Sequence, residues 1–217
     1  KQFRKAIELA PNHAEAHCEL SGVLNSIGRF SEALPMITRG HQLGTSRKNW
    51  QNPSAAWLAQ TTRLAELERD VLGVVSGEIE LEQAKRHEMA RYVCFTKRYY
   101  ATSTRLFREL FEESPKIANN VPRGDRYYAA RAAALVAAGK SKDAPKLPLS
   151  QKDAWREQAL DWLEQDLVVI KTAIESAKDS RQMAGPLRRL RTWTQVPDLA
   201  AVRDDAELVG ASEDVRQ

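Results

Sequence analysis

Two histidines four residues apart, His13 and His17, enclose Glu15, and Cys18 follows directly. On a helix this spacing puts both imidazoles on one face, as in many zinc sites. A zinc protease needs H-E-x-x-H, with the glutamate directly after the first histidine so that it reaches a bound water. Here the order is H-A-E-A-H, the glutamate is displaced by one, and no third ligand is evident. The pattern therefore predicts no metal and no other cofactor. His13 falls at a turn, His17 in a first helical turn, and Glu15 is left as a possible contact for a ligand.

Other material for chemistry is sparse. His41 and His87 stand alone, and Cys18 and Cys94 are far apart with no C-x-x-C. The thiols fit small apolar packing groups inside helices, and nothing suggests a disulfide framework. There is no G-x-S-x-G, no P-loop and no G-x-G-x-x-G. Glu112 and Glu113 read as the polar end of a helix, and Asp204 with Asp205 as a solvated loop. The chain is thus expected not to be an enzyme. Two stretches are basic: Lys85, Arg86, Arg91, Lys97, Arg98, Arg105 and Arg108 against Glu88, with Tyr92, Tyr99 and Tyr100 interleaved, and Arg181, Arg188, Arg189 and Arg191 beside Trp193. A basic groove with stacking aromatics can hold single-stranded nucleic acid. Solvated helix faces, or a meeting with an acidic protein segment, fit the same letters. Net charge is only +4, which permits an anionic partner without demanding one.

The elements that carry these residues are helical. Of 217 residues, 42% are hydrophobic and 29% charged, glycine is scarce, and no alternating strand run is found. No apolar run of 18 residues predicts a membrane span, and no signal peptide is recognised; a cytoplasmic setting is expected, though a parent protein could be membrane-tethered. The chain opens with Lys1 inside a helix, which reads as a monomeric fragment of something longer. "KQFRKAIELA" carries Phe3, Ala6, Ile7 and Ala10 on one stripe, and Pro11 stops it. Asn12 is expected to cap a helix from Ala14 to Ile27, closed by Gly28. Ser31 is expected to cap the next, with Pro35 in its first turn and Ala33, Leu34, Ile37 and Leu43 inward.

Residues 45–80 read as a polar linker and a long helix, about 55–72 and capped by Ser54, with Trp57, Leu58, Leu64, Leu67, Val71 and Leu72 inward. Residues 81–140 read as two degenerate helix pairs. The first has helices at 81–95 and 99–113, with Ser103 small, Phe107 large and Pro115 terminal. The second begins with an alanine-rich helix capped by Asp125 and closed by Gly139. Residues 141–217 read as a mobile proline-bearing loop, a helix from Asp153 to Ala177 with Leu167 inward, a helix from Arg181 to Trp193, a short closing helix in "VPDLAAVRD", and a frayed tail from Gly210.

Residues 1–44 resemble a tetratricopeptide repeat, half of one and all of the next. Phe3, Ala6 and Pro11 match the end of one repeat, and Leu20, Gly28, Phe30 and Ala33 the body of its successor. The order "NPSAAW", "KRYY", "RYYAARAAALVAAGK", "REQALDWLEQDL" and "QVPDLAAVRD" is similar to the helical C-terminal region of large bacterial serine/threonine protein kinases that carry such repeats. No H-R-D or D-F-G is present, so kinase chemistry does not transfer. The resemblance implies an all-α, right-handed solenoid of antiparallel helix pairs with irregular insertions. It implies a scaffold that holds a peptide or protein segment in a concave groove, or else a spacer for another domain. The inward side chains would then be Glu15, Asn25, Lys85, Glu88, Tyr92, Thr96 and Arg126. Cys18 and Gly22 stand where some members of the family grip a terminal carboxylate with lysine and asparagine, so that clamp is not expected.

Overall fold

The computed structural model describes residues 1–144 and 146–204, and over them the chain is helical with no strand. Asp205 and the tail from Gly210, both assigned above, lie outside the described residues. Two compact units form, Lys1–Ile79 and Glu80–Gln217.

In the first unit, helices α1 (Gln2–Leu9), α2 (Ala14–Ser26), α3 (Phe30–Thr45) and α4 (Ser54–Ser76) pack in chain order. Phe3 and Ile7 of α1 are only half-buried, and they rest on Leu20, Leu24 and Ala33. Gly28 makes the α2–α3 turn at φ +73°, a backbone that glycine adopts without steric cost. The inner face of α3 is Phe30, Ala33, Ile37, Gly40 and Gly44. Leu34 and Leu43 flank it, half-buried. The two glycines bring the helices close: a Cβ on Gly40 would lie 2.6 Å from Cys18 Sγ and 3.1 Å from the Ala14 carbonyl.

The helix starts differ from expectation in a consistent way. His13, not Asn12, caps α2: its Nδ1 accepts the Ala16 amide at 3.2 Å, while Asn12 takes Arg39 of α3. Ser31 does not cap α3, which begins a residue earlier. Its amide and hydroxyl both donate to Glu68 of α4, at 2.8 and 2.9 Å. Pro35 therefore lies inside α3, where it forgoes one backbone bond. Ser54 is the first residue of α4 rather than its cap. Its hydroxyl accepts from Trp50 Nε1 and bonds His41 Nδ1, so His41 is not isolated. Trp57 and Leu72 point outward, and Thr61 and Ala65 lie in the buried face instead. None of the Asn12, Ser31 and Ser54 side chains caps its own helix; each instead bonds a side chain from another segment.

The second unit holds α5 (Gln83–Tyr92), a π-helical turn (Val93–Lys97), α6 (Tyr100–Glu113), the one-turn α7 (Pro115–Ala118), α8 (Asp125–Ala137), α9 (Leu149–Glu175), α10 (Ser180–Trp193), a 3-10 turn (Pro197–Leu199) and α11 (Ala200–Arg203). The centre is α8. Eleven of its 13 residues are buried, because α6, α9 and the closing turn surround it, as befits a helix apolar on all sides. Its alanines permit close approach. Its end is a glycine cap: Gly139 stands at φ +70°, and Lys140 N–H donates to the Leu135 carbonyl at 2.9 Å. Ser103 works similarly, bonding the Ala90 carbonyl where α5 and α6 touch. Phe107 stacks on Phe111, which meets Trp162 of α9 edge-on.

Three expectations fail in this unit. Asp125 is not a cap; Gly124 is, at φ +68°, and the aspartate is fully buried. The segment after Gly139 is not loose at its start. Ser141 is 2% exposed and accepts the Tyr100 and Ala101 amides, and Asp143 accepts those of Ala101 and Thr102. These two side chains cap α6. On α9, Leu167 faces solvent, and Arg156 and Asp166 share the buried stripe with Ala159, Trp162 and Ile170. Arg156 is matched by Asp153 and the Ala201 carbonyl.

Candidate functional site

The residues expected to line a groove are dispersed, and most already have partners. Arg47 Nη1 donates to both carboxylate oxygens of Glu15, at 2.9 and 3.0 Å. That bond and the Glu15 backbone hold its carboxyl below the usual range. Asn25 donates to Thr61 of α4. Tyr92 is buried with Lys97 over its ring, and Arg126 is buried against Asn119 and the Gln165 carbonyl. Burial pulls the Arg126 pKa down. Lys85 and Glu88 are half-buried, and Thr96 alone is open. His17 donates to the Pro11 carbonyl at 2.9 Å. No group of three metal-ligating side chains occurs among the described residues. Cys94 is pushed up to about 11 by burial, and burial also raises Cys18, so both thiols are protonated at neutral pH.

A different place gathers chemistry. In the second unit a cleft of about 620 Å³ opens between the 121–124 turn, α8 and α10. Four arginines reach it: Arg123, Arg181, Arg188 and Arg189. Tyr127 and Tyr128 form part of the wall, and among the described residues no acid lines it. Pro186, buried inside α10, and Gly185 keep the helix wall low. Arg181 and Arg188 are exposed, with no acidic partner among the described residues. Arg189 is anchored: it donates to the Val121 carbonyl and lies 3.5 Å from buried Asp166. Burial raises the Asp166 pKa, against the pull of Arg189 and Arg126.

The turn that shapes this cleft is fixed from below. Asp125 takes His87 Nε2 at 2.8 Å, Arg91 at 3.1 Å and Arg123 at 3.3 Å. Arg123 Nη2 also lies 3.0 and 3.2 Å from the two ring nitrogens of His87. Burial works against the aspartate's charge, but the His87 bond and the two arginines outweigh it and lower the pKa. His87 and Asp125, read apart as an isolated histidine and a helix cap, are one ion cluster.

A second cleft, about 540 Å³, lies farther along α8 and is lined by Phe95, Arg98, Tyr100, Arg131, Lys140 and Asp198, among others. Several other cations of the basic stretch are neutralised within the fold: Arg86 pairs with Glu109 and Glu113, and Arg105 with Glu109. Arg98 of that stretch lines the second cleft, and Arg181, Arg188 and Arg189 line the first. The second basic stretch, around Arg188, was legible in the sequence. The participation of Arg123, Arg131, Tyr127 and Tyr128 was not, since nothing local marks them as neighbours of α10 or the π-turn.

No known family, no curated protein and no solved structure matches this chain. Among the described residues, no helix is long and apolar enough to cross a membrane.

Proposed function

We propose that the chain is a non-catalytic protein-binding scaffold, and that the arginine cleft of the second unit holds an acidic polypeptide segment. The single observation that carries this is a cleft with four guanidiniums and, among the described residues, no acid in its lining. Guanidinium forks match carboxylates in a two-pronged geometry and keep their charge at every relevant pH. The packed helices of residues 1–44, with their likeness to a tetratricopeptide repeat, support reading the protein as a right-handed solenoid within a larger signalling protein, a bacterial kinase by resemblance. A cytoplasmic setting belongs to the same reading.

An acidic peptide is favoured over single-stranded nucleic acid because the tyrosines of this cleft offer little free ring face: Tyr127 is buried, and Arg91 lies over Tyr128. Arg91 lies 4.5 Å from the Tyr128 ring centre and 5.6 Å from that of Phe95, and Arg131 lies 5.4 Å from Phe95. Bases need a free ring face on which to stack.

Fluorescence anisotropy with a labelled glutamate-rich peptide tests the proposal. Binding is expected at low salt, weakening as salt screens the exposed charges, and lost in the Arg181→Glu, Arg188→Glu double variant. Unchanged affinity in that variant sinks the assignment. Tighter binding of an oligothymidylate than of the peptide replaces it with the nucleic-acid reading, and binding of neither leaves a spacer.

A further inference from the structure

The second cleft carries two backbone features that set side chains at its wall. The first is the π-helical turn Val93–Lys97, which ends α5. Such turns are rare and cluster at functional sites. This one buries Val93 and Cys94 and swings Phe95 outward to 44% exposure at the cleft wall. The second is Arg98, at φ +61°, the only non-glycine residue with positive φ among the described residues. A left-handed arginine is strained where glycine would not be. Here it is the left-handed cap that ends the π-turn, its amide donating to the Val93 carbonyl, a place where glycine is the usual residue. The Arg98 side chain lines the cleft.

The charge there is uneven. Arg131 is matched by Asp198. Arg98 and Lys140 are exposed and have no acidic partner among the described residues. The Arg131–Asp198 pair also shows that the cleft accommodates a carboxylate against its guanidinium.

The two clefts share α8. Gly124, Tyr127 and Tyr128 belong to the first, Arg131 and Leu135 to the second. Gly124, Tyr128, Arg131 and Leu135 follow one another at intervals of four, three and four, so they fall on one face of the helix. At 1.5 Å per residue this face spans about 16 Å, the reach of about five residues of extended chain. Between the clefts stands the Phe95–Tyr128 edge contact, at 5.1 Å, with Arg91 against both rings.

We infer that Arg98 and Lys140 form a second carboxylate-binding site, which takes a further acidic residue of the same segment about five positions from the one held by Arg181 and Arg188. This rests on the acidic-segment reading above. The left-handed arginine is a positioning device: it aims a cation along the α8 face at some expense in backbone strain.

The test uses the full chain and fluorescein-labelled Gly/Ser peptides that carry one pair of glutamates, or two pairs with four or five residues between them. The two-pair peptide is expected to bind at least about tenfold more tightly, since its second contact is intramolecular. Arg98→Gly is the decisive variant, because it relieves the left-handed strain and so keeps or raises the melting temperature. It should bring the two-pair peptide close to the one-pair affinity and leave the one-pair peptide nearly unchanged. Equal two-pair affinity in wild type and both Arg98→Gly and Lys140→Glu overturns the second site. If Arg181→Glu, Arg188→Glu still removes binding in that case, the acidic-segment reading survives without it. If wild type binds neither peptide, both fail together.

Discussion

Asp125 is the residue on which the second unit's polar chemistry turns. It is fully buried, yet three cationic or donating side chains from two segments converge on it. Asp125→Asn removes the buried charge and leaves its donors without their ionised acceptor, so it is expected to cost about 2 kcal/mol at neutral pH, measured by denaturant unfolding. The sign with pH follows from the lowered pKa. Its folded value lies below the unfolded one, so the stabilisation is complete above the ordinary aspartate value near pH 4 and is lost as pH falls through the folded value. Wild type should therefore lose stability in that acid window, and the Asn variant should lose less. Equal acid sensitivity in the two proteins would mean the cluster carries no net charge coupling. In the sequence Asp125 looks like a helix cap because it stands before an apolar run. Its neighbours His87 and Arg91 lie 38 and 34 residues away, beyond the reach of any local pattern.

At the scale of elements, several helix starts are completed by another segment. Glu68 of α4 closes the start of α3, and Ser141 with Asp143 closes the start of α6. A cap supplied from a distant segment ties two elements together as well as satisfying amides. Replacing Ser141 and Asp143 together by alanine is expected to cost about 2 kcal/mol, on the order of 1 for each capping group lost. Hydrogen exchange at the Tyr100, Ala101 and Thr102 amides should speed up, ahead of the middle of α6. Exchange that rises evenly along the helix would point to general loosening instead. The helices themselves were legible: α1, α2, α6, α10 and the alanine-rich α8 stand close to where apolar periodicity put them. The inward faces of α4 and α9 were less so. Trp57, Leu72 and Leu167 are apolar and on the expected stripe, but the neighbouring helices select a face that contains Thr61, Arg156 and Asp166. A long helix offers several nearly apolar faces, and only the partner chooses between them.

For the molecule as a whole, the division at Ile79–Glu80 decides what can be studied apart. The first unit finishes with its own cap: Gly77 at φ +81° lets the Glu78 and Ile79 amides reach the Gly73 carbonyl at 2.8 and 3.0 Å. Both clefts consist of residues from the second unit alone. Residues 80–217 produced separately should keep helical circular dichroism and bind the two-pair acidic peptide within about twofold of the full chain, as expected of a unit with its own core. A drop of an order of magnitude would place a binding determinant in residues 1–79.

What the sequence determined by itself is the helical character of the chain, the spacing of its helices, and the glycines at 28 and 139 that end them. These depend on residues within four positions of each other, and such neighbours are fixed by covalent order. Only the tertiary structure decided which carboxylates are consumed within the fold and which arginines stay free. Glu15 found Arg47, Arg86 found Glu113 and Arg131 found Asp198, across 32, 27 and 67 residues. Pairing across such separations acts through space, so it follows from how helices pack, unlike the Arg105–Glu109 pair four residues apart on one helix.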